Sequence, residues 1–379
     1  MLSYWEKTSL LNYDLIVVGS GIVGLSTALS FKENQPAKRV LVLERAILPT
    51  GASTKNAGFA CIGSLTEILD DLSYMSKDEV LNLVELRLKG LQLLRKRLGD
   101  KAIGYAEEGS YELISDKEVT CLEKIDEVNA LLQPILKATA FSRCDEKVKD
   151  FGFSTGYTKH LVSNNLEGQL DSGQMMRTLI DRCIAAGIEI KTGCEVERLE
   201  ESSTAVDVIV NHGHLGQAVT FTAPRVAVCT NAFTAKLYPE LDIQPGRGQV
   251  LVTKPIPGLK FTGIFHFDKG YYYFRRLYDR VLFGGGRNLD FEGERSTVFA
   301  QNEKIQADLI HKLSTIILPG QTFEIQDWWT GIMAFGKTKF PILKKYSSRV
   351  FMAVRMGGMG VAIGSEAGEQ LAKLMAEEG

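Results

Sequence analysis
The chain is 379 residues long, 45% hydrophobic and 24% charged, which gives room for two domains with substantial cores and a globular composition. Its 44 basic and 46 acidic side chains leave a net charge of -2, so overall charge gives no reason to bind nucleic acid. No apolar run approaches the roughly 18 residues that span a bilayer, and the first twelve residues hold no signal-peptide apolar stretch, so a cytoplasmic enzyme is expected.

The first predicted strand, Asp14-Leu15-Ile16-Val17-Val18, runs into Gly19-Ser20-Gly21-Ile22-Val23-Gly24 and then into an apolar helical pattern. A second strand over 39–43 ends on Glu44. This order suits the ADP half of a dinucleotide. Gly19 permits a sharp turn, Gly21 lets the backbone approach a pyrophosphate, and Gly24 lets helix and strand pack closely. Ser20 and Ile22 share the same phosphate-facing turn at the positive helix end. Glu44 lies 20 residues past Gly24, where a carboxylate takes the ribose hydroxyls. An acid at that position favours FAD or NAD over NADP, with Arg45 directly after it.

A small, polar, irregular loop follows at 51–59. Helical spacing covers 66–98 with a break at 75–78, and Leu83, Leu86, Leu91 and Leu94 form a core stripe. Further helices are predicted over 116–136 and 168–186, the second capped by Asp171 with Gln174 three residues on. Strands follow at 189–192, 196–199, 206–210 and 225–229, then at 249–253, 270–276 and 280–284. His212 and His214 flank Gly213 in what reads as a hairpin tip. A helix over 297–314, strand and loop over 326–343 and a strand over 350–354 precede a last helix through residue 375. The six cysteines contain no C-x-x-C pair and the five histidines show no ligand spacing, so reduced thiols and no metal site are expected.

The far end of the chain separates FAD from NAD. Gly357, Gly358 and Gly360, with Met359 and Val361, lie between a buried strand and a helix. They provide a second close backbone approach and a second helix N-terminus. A positive helix end suits the negative charge of a reduced flavin at N1 and C2=O. The expected architecture is therefore α/β: a discontinuous Rossmann-like FAD-binding domain (1–90, 162–245 and 326–379) and a second α+β substrate domain (91–161 and 246–325) on a mixed antiparallel sheet.

Taken in order, these pieces carry a resemblance. They are the 19–24 fingerprint with Glu44-Arg45, the G-A-S-x-x-N-A-G loop at 51–58, Cys229-Thr230-Asn231-Ala232, Pro245-Gly246-Arg247-Gly248-Gln249, Tyr273-Phe274-Arg275, Gly284-Gly285-Gly286, Trp329-Thr330-Gly331 and the 357–361 turn. Over nearly its whole length the chain resembles the D-amino-acid oxidase superfamily of flavoproteins, in particular its glycine oxidase, sarcosine oxidase and γ-glutamylputrescine oxidoreductase branches. The resemblance implies that Ser53, Thr54, Asn56, Ala57 and Gly58 line the pyrophosphate and flavin ring. It places Val196 at adenine, Thr230 and Asn231 beside the ADP portion, and Gly331 with 357–361 at the isoalloxazine edge. Ile332 and Met333 stand where sarcosine oxidases carry the cysteine that tethers the flavin, so non-covalent FAD is expected. Met333 and Ala334 replace the arginine that glycine oxidases set against the substrate carboxylate, and Leu282 stands near the oxygen-activating lysine of sarcosine oxidases.

Strand alternation puts Tyr271, Tyr273 and Arg275 on one face and Tyr272, Phe274 and Arg276 on the other. The first face is the expected substrate side, with Arg275 as a bidentate carboxylate partner. Tyr271 matches a tyrosine that glycine oxidase uses at its substrate, whereas His266 reads as an ordinary histidine. The expected reaction is oxidation of a C–N bond of a small amine or amino acid by hydride transfer to flavin N5, giving an imine that hydrolyses, with oxygen or another electron acceptor. The alternatives are a FAD-dependent 2-hydroxy-acid dehydrogenase, a tRNA-modifying flavoenzyme and a non-enzymatic dinucleotide-binding protein.

Overall fold
In the computed structural model, residues 2–211 and 218–377 are described. The hairpin tip expected at His212, Gly213 and His214 lies outside them. Strands Leu15–Val18 and Val40–Leu43 are apolar and buried at every position, as strands covered on both faces must be. They lie at the centre of a six-stranded sheet ordered Ile342–Lys345, Val350–Val354, Val226–Val228, Leu15–Val18, Val40–Leu43, Glu189–Lys191. Every pairing is parallel except that of Ile342–Lys345. Leu15 and Val17 pack with helices Ile22–Asn34 and Gly360–Glu377. Ile16 and Val18 face a three-stranded antiparallel sheet, Val196–Glu201, Val206–Val210 and Val219–Ala223. Helix Lys77–Leu98 crosses Gly360–Glu377 so closely that a Cβ on Gly90 would lie 1.9 Å from the Ala362 carbonyl oxygen.

The second sheet has eight strands, ordered Ile325–Phe335, Gln244–Thr253, Arg280–Gly285, Tyr272–Leu277, Ile264–Phe267, Ser110–Ile114, His160–Asn164, Phe141–Arg143. It is antiparallel apart from one parallel pairing, Ile264–Phe267 with Ser110–Ile114. One face carries an aromatic core in which Phe265 stacks on Phe274 at 4.7 Å and Phe267 on Tyr272 at 4.9 Å. The architecture is the expected one: a Rossmann-like domain assembled from separated segments and a second domain on a mixed sheet. Among the described residues no helix is long and apolar enough to cross a membrane.

The helix expected over 66–98 does break, but at 73–76 and not at 75–78, because Ser76 caps a helix that already includes Lys77 and Asp78. The break separates helices Leu65–Leu72 and Lys77–Leu98, each opened by a capping box, Ser64 with Glu67 and Ser76 with Glu79. The helix expected from 168 begins at Ser172 instead, because Gly168–Gln169 pairs with Phe59–Ala60. Asp171 caps it, its Oδ1 accepting from the Gln174 N–H at 2.9 Å. Similarly, the helix expected from 297 starts at Glu303, capped by Asn302. Four strands of the second sheet escape periodicity: Ser110–Ile114, Phe141–Arg143, His160–Asn164 and Ile264–Phe267. Three of them are buried at nearly every position, and the remaining one has only three residues, so neither presents a half-buried alternation.

Candidate active site
A cleft of about 660 Å³ runs between the two sheets. At one end lies the first glycine turn. Gly19 has φ +104°, and a Cβ on Gly24 would meet the Gly19 carbonyl oxygen at 1.9 Å, so neither position accepts another residue. Gly21 caps helix Ile22–Asn34 without a side chain, and the Ile22 N–H donates to Ser53 Oγ at 3.0 Å. Glu44 is buried at the cleft border. Its Oε2 accepts from the Ser20 N–H (3.2 Å) and hydroxyl (2.6 Å), and its Oε1 accepts from the Ala46 N–H (3.1 Å). Those three bonds do not exhaust the acceptor sites of a carboxylate. Beside it the Arg45 guanidinium lies 3.6 Å over the Phe233 ring.

The second glycine turn follows strand Val350–Val354. Arg355, at φ +66°, is pinned there by the carboxylate (2.7 Å) and carbonyl oxygen (3.0 Å) of Asp242 and by Thr338 and the Phe340 carbonyl. Asn231 sits at φ +46° between the two turns. Its Oδ1 accepts from the N–H groups of Arg355 (3.0 Å) and Met356 (3.3 Å), so its side chain braces the second turn while the residue borders the cleft. Helix Gly360–Glu377 then begins at the cleft with no acidic residue in its first turn, leaving a positive end.

The 51–58 loop closes the wall. Asn56 Oδ1 accepts from the Gly58 N–H (2.8 Å) and Ser172 hydroxyl (2.7 Å), and Thr54 Oγ1 donates to the Pro49 carbonyl (2.7 Å). Trp329 Nε1–H donates to the Lys55 carbonyl at 3.1 Å, tying the loop to the strand that carries Gly331. Of the residues assigned to the cofactor from sequence, Gly24, Thr54 and Gly58 support this wall without bordering the cleft. Ser20, Gly21, Ser53, Ala57, Val196, Thr230, Gly331, Gly357, Gly358, Met359, Gly360, Val361 and the others border it. The 19–24 glycine turn, the helix N-termini that follow both glycine turns and the buried Glu44 carboxylate all border one cleft, a lining that fits FAD.

At the other end, strand Tyr272–Leu277 alternates as expected. Tyr272 and Phe274 enter the aromatic core, with the Tyr272 hydroxyl donating to Asp308 at 2.8 Å. Tyr273 faces the cleft against Gly284, where a Cβ would come within 2.7 Å of its ring. Burial pushes its phenol up to about 12. Phe59 sets its edge against Tyr273 (5.6 Å) and against His266 (5.1 Å), the cross-strand neighbour of Tyr273. Tyr271 stands at the mouth, 36% exposed. Arg275 shares the face of Tyr273 but does not border the cleft. It lies beneath the 56–58 loop, donates to Gln169 Oε1 at 3.0 Å, and is lowered to about 10 by burial.

Sequence reasoning weighs His266 and reads it as an ordinary histidine, and it gives no role to two further cleft residues, Lys55 and Arg287. His266 is 5% exposed, borders the cleft, and has an Nε2 without a partner; burial lowers its pKa, which favours the neutral ring. Lys55 sits inside the 51–58 motif with its ammonium 5.2 Å from the Phe299 ring. Arg287 follows the Gly284-Gly285-Gly286 triplet, where nothing local distinguishes it from a surface arginine. Below this end, two buried carboxyls hold the 62–66 segment. Glu112 accepts from the Ser64 hydroxyl and from the N–H and hydroxyl of Thr66, and Glu167 accepts from the N–H groups of Ile62 and Gly63. Burial pushes each up to about 7.

A parallel nucleotide sheet joined to a mixed sheet across such a cleft defines a flavin-dependent oxidoreductase of the two-domain kind. The family model described as FAD dependent oxidoreductase, DAO, matches residues 14–374, and the chain belongs to that family. Among curated proteins it is 22% identical over 380 residues to Probable oxidoreductase OrdL of Haemophilus influenzae, covering 97% of this chain and 83% of that one. It is also 26% identical over 238 residues to N-methyl-L-tryptophan oxidase of Yersinia pestis, covering 62% and 58%. Among solved structures, L-proline dehydrogenase from P. horikoshii superposes with a TM-score of 0.79 at 16% identity, over 97% of this chain and 94% of that one. Glycine oxidase from Geobacillus kaustophilus superposes with a TM-score of 0.77 at 20% identity, over 97% and 95%.

Proposed function
We propose that the protein oxidises a C–N bond of a small amine or amino acid, using non-covalent FAD. One observation carries this reading: two glycine turns from opposite ends of the chain face one cleft whose far wall is an aromatic strand bearing Tyr273. FAD, when bound, supplies a two-electron acceptor that takes hydride from the carbon beside the amine nitrogen. The 19–24 turn and Glu44 would hold the ADP portion of FAD, and the N-terminus of Gly360–Glu377 would stabilise negative charge on its reduced flavin. Phe59, Met333 and Tyr273 exclude water and fix the substrate's approach, the contribution that orientation makes to the rate. A neutral amine needs no protein base, and the imine it yields hydrolyses in water. N-methyl-L-tryptophan oxidase and L-proline dehydrogenase, both similar to this chain, are named for substrates of the C–N class.

The test is anaerobic absorbance of the FAD-loaded protein with a panel of amines and 2-hydroxy acids. Bleaching of the flavin band by an amine is the expected result. Bleaching by a 2-hydroxy acid with no response to any amine refutes the reading. Acid precipitation of the same sample is expected to leave the yellow chromophore in the supernatant, whereas a coloured pellet refutes non-covalent binding.

A further inference from the structure
We infer that Glu67 forms a subsite for a second positive charge on the substrate, so that the preferred amine carries a further, cationic nitrogen; this rests on the amine-oxidising reading above. Among the described residues, four carboxylates border the cleft. Glu44 bonds to Ser20 and Ala46 at the nucleotide end, where Glu195 also lies, paired with Lys236 at 2.9 Å. Asp70 is paired with Lys269 at 2.9 Å. The fourth, Glu67, is half-buried and makes no ion pair with a described residue.

One oxygen of Glu67 is committed to the fold and the other is not. Oε2 accepts from the Ser64 N–H at 2.9 Å and closes the capping box of helix Leu65–Leu72. Oε1 has no hydrogen-bond partner among the described residues, and it lies over the turn that leads into Tyr271. There Gly270 has φ +76°, and a Cβ on it would come within 2.7 Å of that oxygen. His266 borders the same end of the cleft, 5% exposed, with an Nε2 that has no partner. Glu67 is the charged group that acts on it, while burial favours the neutral ring, whose free nitrogen can accept from an ammonium N–H. Phe59, Tyr271 and Tyr273 line this end too, and aromatic faces attract cations.

No cation of the protein neutralises Glu67. Lys269 and Lys339 are held by Asp70 and Asp71, and Arg87 donates to the Ile62 carbonyl at 2.6 Å. Arg287 lies 4.1 Å from the Phe335 ring centroid and 4.8 Å from that of Phe291. Gly246 leaves the space for this stacking, since a Cβ there would lie 2.4 Å from the Phe335 ring. The segment carrying Phe291 is tied down at the rim by buried Glu294, which accepts from Arg247. Buried Glu112 and Glu167 hold the 62–66 segment and do not border the cleft. A lone carboxylate, partly stripped of water, gives an incoming cation more than an exposed one does.

The binding test titrates the FAD-loaded protein with acetamidinium and benzamidinium, and with the neutral acetamide and benzamide, while following the visible flavin band. The amidinium ions are expected to perturb the band and the amides are not. Glu67→Gln keeps an acceptor for the Ser64 N–H, so the helix cap survives while the charge is lost. It is expected to weaken amidinium binding by roughly 10- to 100-fold, the range of a hydrogen bond to a charged group. The kinetic test compares anaerobic flavin reduction by butylamine and pentylamine with that by the diamines of the same chain length. The diamines are expected to saturate at lower concentration, and Glu67→Gln to erase that advantage while leaving the monoamines in place. Equal losses for monoamines and diamines in Glu67→Gln overturn the inference, because they assign the carboxylate to the reacting nitrogen. Equal response to amidinium ions and amides also overturns it, as does an FAD-bound Glu67→Gln with unchanged amidinium affinity. So does loss of amidinium binding in Asp70→Asn but not in Glu67→Gln. Flavin reduction by amines with no preference for a second charge would sink this inference and leave the oxidoreductase reading standing, whereas no reduction by any amine would remove both.

Discussion
The rim of the cleft depends on one buried ion pair, and breaking it gives a measurable consequence. Arg247 is 7% exposed and Glu294 is fully buried. Nε and Nη2 of Arg247 donate to the two carboxylate oxygens at 2.8 and 2.9 Å, while Nη1 and Nη2 also reach the carbonyls of Val298 and Gly293. Glu294→Leu strands a guanidinium in a site it cannot leave. Removing one partner of a buried pair costs about 3–5 kcal/mol, which at roughly 2–4 °C per kcal/mol for domains of this scale lowers Tm by on the order of 10 °C. Arg247→Met/Glu294→Leu removes both charges and is expected to recover much of that loss, because the isolated charge and not the missing attraction dominates the cost. Urea midpoints and thermal scans of the parent, both single variants and the double variant close the cycle. A single variant within about 1 kcal/mol of the parent, or a double variant no better than Glu294→Leu, would refute the reasoning.

Three further outcomes follow from the same geometry. Glu112 and Glu167 hold their protons up to about pH 7, against 4.5 for a free carboxyl, so the folded state binds more protons between those values; the stability they confer is complete below pH 4.5 and is lost as pH rises through 7. Glu167→Gln is therefore expected to flatten the fall of Tm over this window by a few degrees, and an unchanged slope in a pH series of thermal scans counts against the assignment. Asn231→Ala removes two acceptor contacts from the second turn and places alanine at positive φ, so FAD affinity measured by flavin fluorescence should fall on the order of 10-fold or more; unaltered affinity contradicts the bracing role. Tyr273→Phe removes a phenol that bonds to no described residue, so Tm should stay within about 2 °C while the anaerobic reduction rate drops; a large loss of Tm would assign Tyr273 to the core instead.

Much of the nucleotide end is legible in the sequence because its geometry is local. Gly19, Gly21, Gly24 and Glu44 act through chain turns and a fixed strand–helix–strand spacing, and the structure places them accordingly. The alternation of Tyr271, Tyr273 and Arg275 is local too, and it sorts the faces of the strand correctly. It says nothing of depth. Whether Arg275 reaches the cleft depends on the 56–58 loop, more than 200 positions away, which covers it. Arg287 shows the same limit from the other side, since its stacking partners Phe291 and Phe335 and the space above Gly246 come from three separate segments. The strand Ser110–Ile114 is hidden for a different reason: it buries Glu112 among apolar residues, and no pattern of exposure marks it.

Strand Leu15–Val18 finds its neighbours in Val40–Leu43 and Val226–Val228, and the sheet then continues to Val350–Val354. A growing polypeptide therefore cannot complete the first turn until the strand at 226–228 has emerged, and it cannot offer the second until residue 361 has. Loading with flavin becomes a late event that reports on whether both ends have met, and a ligand that binds only the finished molecule shifts the folding equilibrium by mass action. Cells short of the vitamin precursor should accordingly accumulate less of this protein, not merely less of its activity.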